Sequence, residues 1–337
     1  MTGPGVDREA AARRGAGWSD GAVARAVREG LLASPKRLPP WLLYDDAGSA
    51  LFDEITRLPE YYLTRTEHAI LDENADAIVG AARPPGAAAG PSLSLSLVEL
   101  GAGSARKTRH VIEAALRAQE RVLYVPVDVS PAALAAAERH LADVEGLTFC
   151  PVVARYPDEL GWLSAVPGRR LVMFLGSNIG NYEPPEAAAL LRAVSDVLRP
   201  GDSVLVGADL RKDPAIILPA YDDAAGVSER FNLNLLERIN RELGGAFDAR
   251  LFRHVARWND AASRVELSLE SRARQAVPIR GLDLTARFEA GELMHMENSY
   301  KLTVPRLEAL FRAARLEPAR TFTDARGWFA VQLGHRR

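Results

Sequence analysis

The chain has 337 residues, of which 47% are hydrophobic and 26% are charged, and its net charge at pH 7 is -2. This composition is ordinary for a soluble globular protein with a substantial core, in one large domain or two. A net charge close to zero provides no general attraction to nucleic acid or to an anionic membrane, so neither is an expected partner.

Cysteine and histidine usage excludes further classes. Cys150 is the only cysteine, which rules out an intrachain disulfide, and the six histidines are scattered without metal-ligand spacing, so we predict no metal site. No apolar run approaches membrane-spanning length, and the N-terminus lacks the apolar segment of a secretory signal. We therefore expect a cytoplasmic protein. We also expect a monomer, with residues 1–18 as a flexible leader.

The first notable segment, residues 43–67, concentrates tyrosines and charges around a proline turn. Tyr44, Tyr61 and Tyr62 each combine an apolar ring with a hydroxyl, which suits the lining of a small amphipathic pocket. Tyrosines in a protein core have the same properties. The segment is therefore open to a binding role and to plain packing.

A glycine loop follows the next apolar run. Residues 95–100 predict a buried strand, Gly101 and Gly103 permit a tight turn with close backbone approach, and residues 105–115 predict a helix. Residues 122–127 predict a second strand that closes on Asp128, where a carboxylate can accept both hydroxyls of a ribose. Together these features predict a nucleoside site, although a glycine-rich strand end also occurs as a plain turn.

The same loop favours a ligand without phosphates. The place of a third glycine is taken by Arg106, so the close helix approach that binds a pyrophosphate is not encoded. Glu99, just before the loop, suits a cationic ligand, and S-adenosylmethionine (SAM) carries positive charge on both its amino group and its sulfonium. A solvated carboxylate at a strand end is the alternative interpretation of Glu99.

Strands and helices alternate from residue 98 onward, which predicts a parallel α/β sheet. The further predicted elements are a helix over 131–142, strands near 147 and over 171–175, a helix over 185–198 and a strand over 203–208. The loop in residues 174–182 contains Asn178 and Asn181 at a strand end that would face the ligand crevice, with Asn181 the first candidate for substrate binding. Alternatively, both asparagines bond only their own loop backbone.

A different module begins after Asp209. Residues 224–243 predict a long helix, and residues 264–271 alternate like an antiparallel strand exposed on one side. Residues 305–314 then predict a helix, and residues 328–333 an apolar strand that could close the first sheet. The intervening module is therefore predicted to be an insertion.

One short strand within this module has polar residues on one face. Residues 294–300 place Glu297 and Ser299 on the same side because side chains alternate along a strand. Such a pair can hold both nitrogens of an imidazole, since the carboxylate accepts an N–H and the hydroxyl bonds the other nitrogen. An exposed polar strand face is the alternative.

Taken in order, these segments resemble the histidine Nα-methyltransferase family of ergothioneine biosynthesis, SAM-dependent enzymes that make Nα,Nα,Nα-trimethylhistidine (hercynine). The resemblance runs from about residue 20 to the end and rests on residues 43–67, 98–109, 126–130, 174–181, 220–227 with Phe231 and Asn232, and 296–301. It implies a Rossmann-like SAM-dependent methyltransferase sheet in residues 65–210 plus 302–337. It also implies an α+β substrate-binding domain in residues 19–64 plus 211–301.

The resemblance assigns roles to individual residues. SAM would be held by Gly101, Lys107 and Asp128, with Asp128 on the ribose, and Phe52 and Gly176 would lie near the point of methyl transfer. L-Histidine would be bound by the following side chains: Asn181 and Tyr221 at the carboxylate, Glu297 and Ser299 at the imidazole, and Tyr44 and Tyr61 along the pocket. For removal of the amine proton we expect a relay of tyrosine hydroxyls, with Tyr44 preferred to Tyr61, and ordered water.

The chain departs from the family pattern in two places. Arg155 and Tyr156 stand where many relatives have an acid followed by an aromatic residue near the adenine amino group, and the loop at residues 83–97 is longer. Two other functions fit the same sheet. One is methylation of a different amino acid, tyrosine or tryptophan, and the other is SAM binding without turnover.

Overall fold

The computed structural model describes residues 20–83, 94–154 and 160–337. The predicted leader, most of the 83–97 loop, and Arg155 with Tyr156 lie outside these ranges. Helices α1 to α9 span Asp20–Leu32, Asp46–Ile55, Tyr62–Ala82, Arg109–Ala118, Pro131–His140, Pro184–Val197, Pro214–Ile217, Val227–Leu243 and Val304–Ala313. Strands β1 to β13 span Leu95–Leu100, Val122–Asp128, Leu147–Phe149, Val152–Val153, Arg169–Phe174, Ser203–Asp209, Phe252–Asn259, Arg264–Ser271, Gln275–Ile279, Leu284–Phe288, Leu293–Tyr300, Leu316–Thr323 and Phe329–Arg336.

The chain divides into two compact units. The first contains Leu63–Leu210 and Leu302–Arg337, and the second contains Trp18–Tyr62, described from residue 20, and Arg211–Lys301. The chain leaves the first unit after β6 and re-enters it beside the same strand, where the amide of Leu302 donates to the carbonyl of Asp209 over 2.9 Å. The second unit therefore includes a long insertion into the first.

The first unit is built on a mostly parallel sheet. Its strand order is β12-β13-β6-β5-β1-β2-β3, and β4 also pairs with β2. Strands β6, β5, β1, β2 and β3 run parallel, which confirms the predicted α/β class. The C-terminal strand β13 pairs antiparallel with β6, as predicted, whereas the edge strand β12 was not predicted.

Apolar residues on both faces explain why this sheet is buried. Every residue of β1 and of β6 is buried, and a parallel sheet covered on both faces requires such continuous apolar runs. On one face the core includes Val98, Val172, Leu191 and Phe311, which joins the sheet to α6 and α9. Each such side chain contributes about 1.5–3 kcal/mol when fully buried.

The helix predicted over residues 105–115 begins later, at Arg109, and ends at Ala118. The prediction was wrong at its start because Gly101, Gly103 and Ala105 all adopt positive φ angles of 52–72°. Left-handed residues cannot continue a right-handed helix, and here they shape a turn instead. Residues 101–108 are thus the loop that connects β1 to α4.

The second unit combines helices with two antiparallel sheets. One sheet has the order β11-β8-β7 and the other is the hairpin of β9 and β10. Strand β8 has the predicted bounds, whereas α8 begins at Val227 rather than at residue 224. The later start is explained by Gly226, which is left-handed at φ 67°, and by Asp223, whose carboxylate accepts the amides of Val227 and Ser228.

No helix within the described residues is both long enough and apolar enough to cross a membrane. Within the same ranges, no three side chains of histidine, cysteine, aspartate or glutamate are grouped as the ligands of a metal ion would be.

Candidate active site

In the first unit, the predicted cofactor residues follow the carboxyl ends of β1, β2 and β5, where open α/β sheets bind their ligands. Gly101 and Gly103 have φ angles of 72° and 52°, which glycine adopts without strain. The amide of Gly101 donates to the carbonyl of Val127 over 2.8 Å, so the loop after β1 is fixed against the end of β2.

Asp128 lies at the end of β2 and supports the same loop. One of its oxygens accepts the amide of Gly103 and the other accepts the amide of Ser130, each over 2.9 Å. Burial raises the pKa of the Asp128 carboxyl, and these backbone amides oppose the rise. Each carboxylate oxygen can accept a second hydrogen bond, so Asp128 retains capacity for the hydroxyls of a ribose.

The structure decides against one of the two interpretations of Glu99 offered by the sequence. Glu99 is fully buried, so the solvated alternative is wrong. Its Oε2 accepts hydrogen bonds from Thr108 over 2.7 Å and from Tyr124 over 2.5 Å, and burial raises its pKa to about 7. Of the two carboxylate oxygens of Glu99, Oε1 has no hydrogen-bond partner among the described residues, so the contact expected with a cationic ligand is left to this atom.

The structure brings the predicted residues Lys107 and Gly176 together through Glu67, which sequence reasoning did not select. Glu67 is fully buried in α3, and its Oε2 lies 2.5 Å from Lys107 Nζ. The amide of Gly176 donates to both carboxylate oxygens over 2.9 Å. A side chain at Gly207 on β6 would clash with this carboxylate. The only signal for Glu67 in the sequence was its position at the end of the segment of residues 43–67.

The loop after β5 is tightly constrained. Gly176 and Ser177 adopt φ angles of 80° and 61°, and the hydroxyl of Ser177 accepts the amide of Asp209 over 2.9 Å. A non-glycine residue in this conformation is strained and is held by its surroundings, a condition that is common at functional sites. Asn181 ends the following short 3-10 helix, Asn178–Asn181, and is half-buried.

In the second unit, an aromatic cluster contains three predicted residues, Tyr44, Phe52 and Tyr61, together with Phe231. The rings of Tyr44 and Phe52 are 5.6 Å apart, those of Phe52 and Tyr61 are 6.1 Å apart, and Phe231 lies 5.5 Å from Tyr44 and 5.9 Å from Phe52. These are the edge-to-face and tilted contacts that aromatic rings favour. Phe231 was visible only as part of the family motif. The roles of the other three at a ligand remain predictions.

Helix capping determines where Tyr44 lies. Tyr44 precedes α2, and the carboxylate of Asp45 caps this helix by accepting the amide of Gly48 over 2.7 Å. The same carboxylate accepts the side-chain amide of Asn234 on α8 over 2.7 Å. A Cβ at Gly48 would clash with the carbonyl of Leu43, so the close approach requires glycine.

A polar cluster of Tyr221, Glu297, Ser299 and Lys301 surrounds the end of β11. The hydroxyls of Tyr221 and Ser299 are 2.9 Å apart. Lys301 donates to Tyr221 over 2.5 Å and to Ser299 over 3.0 Å. Tyr221 and Ser299, expected at opposite ends of the substrate, are therefore in direct contact.

Glu297 and Ser299 are both buried, so the alternative of an exposed polar strand face is wrong. Burial raises the pKa of Glu297 to about 7, and the positive charge of Lys301 opposes this rise. Within the described residues, no hydrogen-bond donor contacts the Glu297 carboxylate. A buried acceptor without a donor is costly and is suited to a ligand that carries one.

Lys301 was also missed, although a signal was present. Glu297, Ser299 and Lys301 are spaced by two, which puts them on one face of an extended chain. The prediction extended only as far as residue 300. Lys301 is fully buried and belongs to the same polar cluster as the predicted pair.

The chain is similar to known proteins over nearly its whole length. A family model described as histidine-specific methyltransferase, SAM-dependent, matches residues 23–336. The chain is 43% identical over 316 residues to the histidine N-alpha-methyltransferase of Mycolicibacterium smegmatis, covering 94% of this chain and 95% of the relative. It is 42% identical over 315 residues to the Mycobacterium tuberculosis protein of the same name, covering 93% and 94%.

A fungal relative is matched over a smaller part. Ergothioneine biosynthesis protein 1 of Neurospora crassa is 36% identical over 216 residues, which is 62% of this chain and 23% of that protein. The match of the family model over nearly the whole chain, together with the two bacterial relatives, shows what the chain is. It belongs to the family of SAM-dependent, histidine-specific methyltransferases.

Proposed function

We propose that this enzyme transfers three methyl groups from SAM to the α-amino nitrogen of L-histidine and yields hercynine, the first step of ergothioneine biosynthesis. The observation that carries this proposal is the Glu297 carboxylate, which is buried beside Ser299 and has no protein donor among the described residues. An imidazole N–H supplies that donor. The relatives' names favour histidine over tyrosine or tryptophan as the substrate.

The first unit is proposed to hold SAM. Asp128 accepts the ribose hydroxyls with its remaining lone pairs, and the backbone at Gly101 and Gly176 lets the cofactor approach closely. Lys107, held by Glu67, lies at the same edge of the sheet. Glu99 Oε1 is the buried acceptor for a positive group of the cofactor, and such a contact would hold Glu99 ionised. Phe52 is proposed to lie near the methyl group.

The second unit is proposed to recognise the amino acid. Glu297 and Ser299 bond the two imidazole nitrogens, and Tyr221 binds the carboxylate. Asn181, which belongs to the first unit, is also proposed as a carboxylate ligand. Tyr44 and Tyr61 line the pocket within the aromatic cluster. A site built around buried polar partners penalises an amino acid that leaves them unpaired, by about 10⁴-fold in the strongest cases.

The chemistry requires positioning and proton removal. SAM supplies an activated methyl group, which an amine lone pair displaces in line from the sulfur. An α-amino group is largely protonated at neutral pH and cannot attack in that form, so each of the three transfers releases one proton. We assign proton removal to the Tyr44 hydroxyl with ordered water. Holding the carboxylate and ring firmly leaves the amine free to turn as methyl groups accumulate.

We also propose that the enzyme acts as a cytoplasmic monomer on this small molecule. The net charge of -2 supports a partner other than nucleic acid or an anionic membrane.

A mass measurement tests the proposed reaction. The purified chain is incubated with SAM and, in separate reactions, with histidine, tyrosine or tryptophan. Histidine should gain three methyl groups, whereas tyrosine and tryptophan should gain none. Methylation of another amino acid with histidine unchanged would overturn the substrate, and SAM binding without methylation of any of them would favour a non-catalytic protein.

A further inference from the structure

The polar cluster contains a cation whose role the proposed reaction does not yet explain. Lys301 is fully buried, and its ammonium donates to Tyr221 over 2.5 Å and to Ser299 over 3.0 Å. It also lies 4.5 Å from the centre of the Tyr221 ring. Burying an ammonium is expensive, so a fold that keeps one here must obtain a specific benefit from it.

The backbone of Lys301 is fixed as firmly as its side chain. The amide of Lys301 donates to the carbonyl of Ser263 over 2.8 Å, and the hydroxyl of Ser263 donates to the carbonyl of Lys301 over 2.8 Å. Ser263 is itself buried and adopts a left-handed φ of 56° in the turn between β7 and β8. The backbone position from which the Lys301 side chain extends is therefore fixed relative to β11.

The ammonium determines how the two hydroxyls are oriented. Lysine is only a donor, so the oxygens of Tyr221 and Ser299 both accept from it. The two hydroxyls are also 2.9 Å apart, so when Ser299 donates to Tyr221, the Tyr221 hydrogen is directed away from both Lys301 and Ser299. The backbone carbonyl of Tyr221 is bonded to His254 Nε2 over 2.8 Å, which fixes the other end of the residue. Donation from a cation also polarises a hydroxyl and makes it a stronger donor to an anion.

We propose that Lys301 is a positioning residue that makes the enzyme select substrates with a free α-carboxylate. Its ammonium polarises and orients the Tyr221 hydroxyl, which donates to the substrate carboxylate, and it holds Ser299 beside the imidazole. Its positive charge offsets that carboxylate and Glu297 together. This inference rests on the proposed function, because it assigns Tyr221 to the carboxylate of histidine.

A neutral analogue tests the proposal directly. Histidinamide keeps the imidazole and the α-amine but lacks the negative charge. We expect wild-type kcat/KM to be about 100-fold lower for histidinamide than for histidine, the upper part of the range for loss of a charge-assisted hydrogen bond. Equal use of the two substrates by the wild type would overturn the proposal. Absence of any histidine methylation would instead overturn the proposed function.

Substitution at Lys301 then locates the selectivity. In Lys301→Met, KM for histidine should rise about 10- to 100-fold with a smaller change in kcat, and the preference over histidinamide should fall below about tenfold. Lys301→Arg, which keeps the charge, should restore part of the preference. A variant that is folded and binds SAM normally but keeps the full preference would overturn the proposal.

Two further variants separate this role from plain stability. Lys36→Met removes another largely buried lysine of the same unit, which pairs with Glu292 over 2.5 Å, and should leave the preference for histidine unchanged. Tyr221→Phe removes the hydroxyl through which Lys301 acts and should lose the same preference. If Lys301→Met does not fold, Tyr221→Phe decides the matter, because retained preference in that variant would overturn the proposal.

Discussion

Glu67 in the first unit and Glu297 in the second are both buried glutamates, and they differ in the partners that the protein offers them. Glu67 in the first unit is fully buried and receives the ammonium of Lys107 and the amide of Gly176. Glu297 in the second unit is also buried, yet no donor among the described residues contacts it, and only the charge of Lys301 offsets its burial.

The difference separates a residue that shapes a site from a residue that we propose recognises a ligand. The hydrogen bonds of Glu67 join α3 to the loops after β1 and β5, so this carboxylate holds the candidate cofactor loops in place. An acceptor that lacks a donor costs about 1–3 kcal/mol. We propose that the fold tolerates this cost at Glu297 because a bound ligand supplies the missing donor.

The largest expected effect follows from removing Glu297. Glu297→Ala should lower kcat/KM for histidine by about 10³-fold or more, since the imidazole loses its acceptor in a buried site. The affinity for SAM, measured by calorimetry, should stay the same. Glu289→Ala is the matched control, because this side chain is 71% exposed on the turn before β11, and it should retain full activity. Undiminished histidine turnover in Glu297→Ala would show that this carboxylate does not recognise the ring.

Removing Glu67 should damage stability instead. Glu67→Gln leaves the ammonium of Lys107 near a neutral amide, and breaking a buried ion pair from one side costs about 3–5 kcal/mol. Urea unfolding should report this loss, together with weaker SAM binding. Asp53→Asn, which breaks an exposed pair with Arg57, should change stability by less than about 0.5 kcal/mol. Equal stabilities of the two variants would contradict the proposed scaffold role of Glu67.

The face of β11 on which Glu297 lies could be predicted, because it depends only on the local alternation of side chains along a strand. The spacing of Glu297 and Ser299 puts both on one face of β11, and the family motif supplied their proposed role. Local patterns also predicted the succession of strands and helices in the main sheet, since apolar runs and glycine turns are read over a few residues. The boundary of α4 was lost where Ala105 unexpectedly adopts a left-handed conformation.

The scaffold residue could not be predicted, because its environment is assembled from distant parts of the chain. Glu67 is 40 residues from Lys107 and 109 residues from Gly176. The environment of Glu99 also depends on residues distant in sequence, since the hydroxyl of Tyr124 on the neighbouring strand donates to one of its carboxylate oxygens. Sequence patterns indicate which residues share a face, whereas tertiary packing decides which of them receive partners.

The comparison also predicts how stability depends on pH. The pKa of Glu297 is raised from 4.5 to about 7, so the folded protein keeps a proton that the unfolded chain releases between these values. The contribution of this group to the free energy of unfolding therefore falls as pH rises from about 4.5 to about 7, and is level above.

Glu297→Gln removes this pH-dependent contribution to the free energy of unfolding. Its stability relative to the wild type should rise across the same pH range and reach about 2 kcal/mol at pH 8, less than the full shift implies because Lys301 loses a compensating charge. Urea unfolding at pH 5, 6, 7 and 8 measures the difference. Glu99, whose pKa is also raised to about 7, titrates in both proteins and cancels. A difference that stays constant with pH would mean that Glu297 keeps an ordinary pKa.

The smallest expected effect is that of Tyr44→Phe. This substitution tests whether the aromatic cluster only supports the fold or also acts on the ligand. Tyr44→Phe keeps the ring contacts with Phe52 and Phe231, so thermal stability should change little. If the hydroxyl removes the amine proton, kcat for histidine should fall about tenfold, and the loss should shrink at higher pH as more substrate amine is already deprotonated. Tyr62→Phe is the matched control, because the Tyr62 hydroxyl accepts from Lys212 over 2.9 Å and should matter only for packing. If Tyr44→Phe matches Tyr62→Phe at every pH, the Tyr44 hydroxyl is part of the scaffold and proton removal must be assigned to another group.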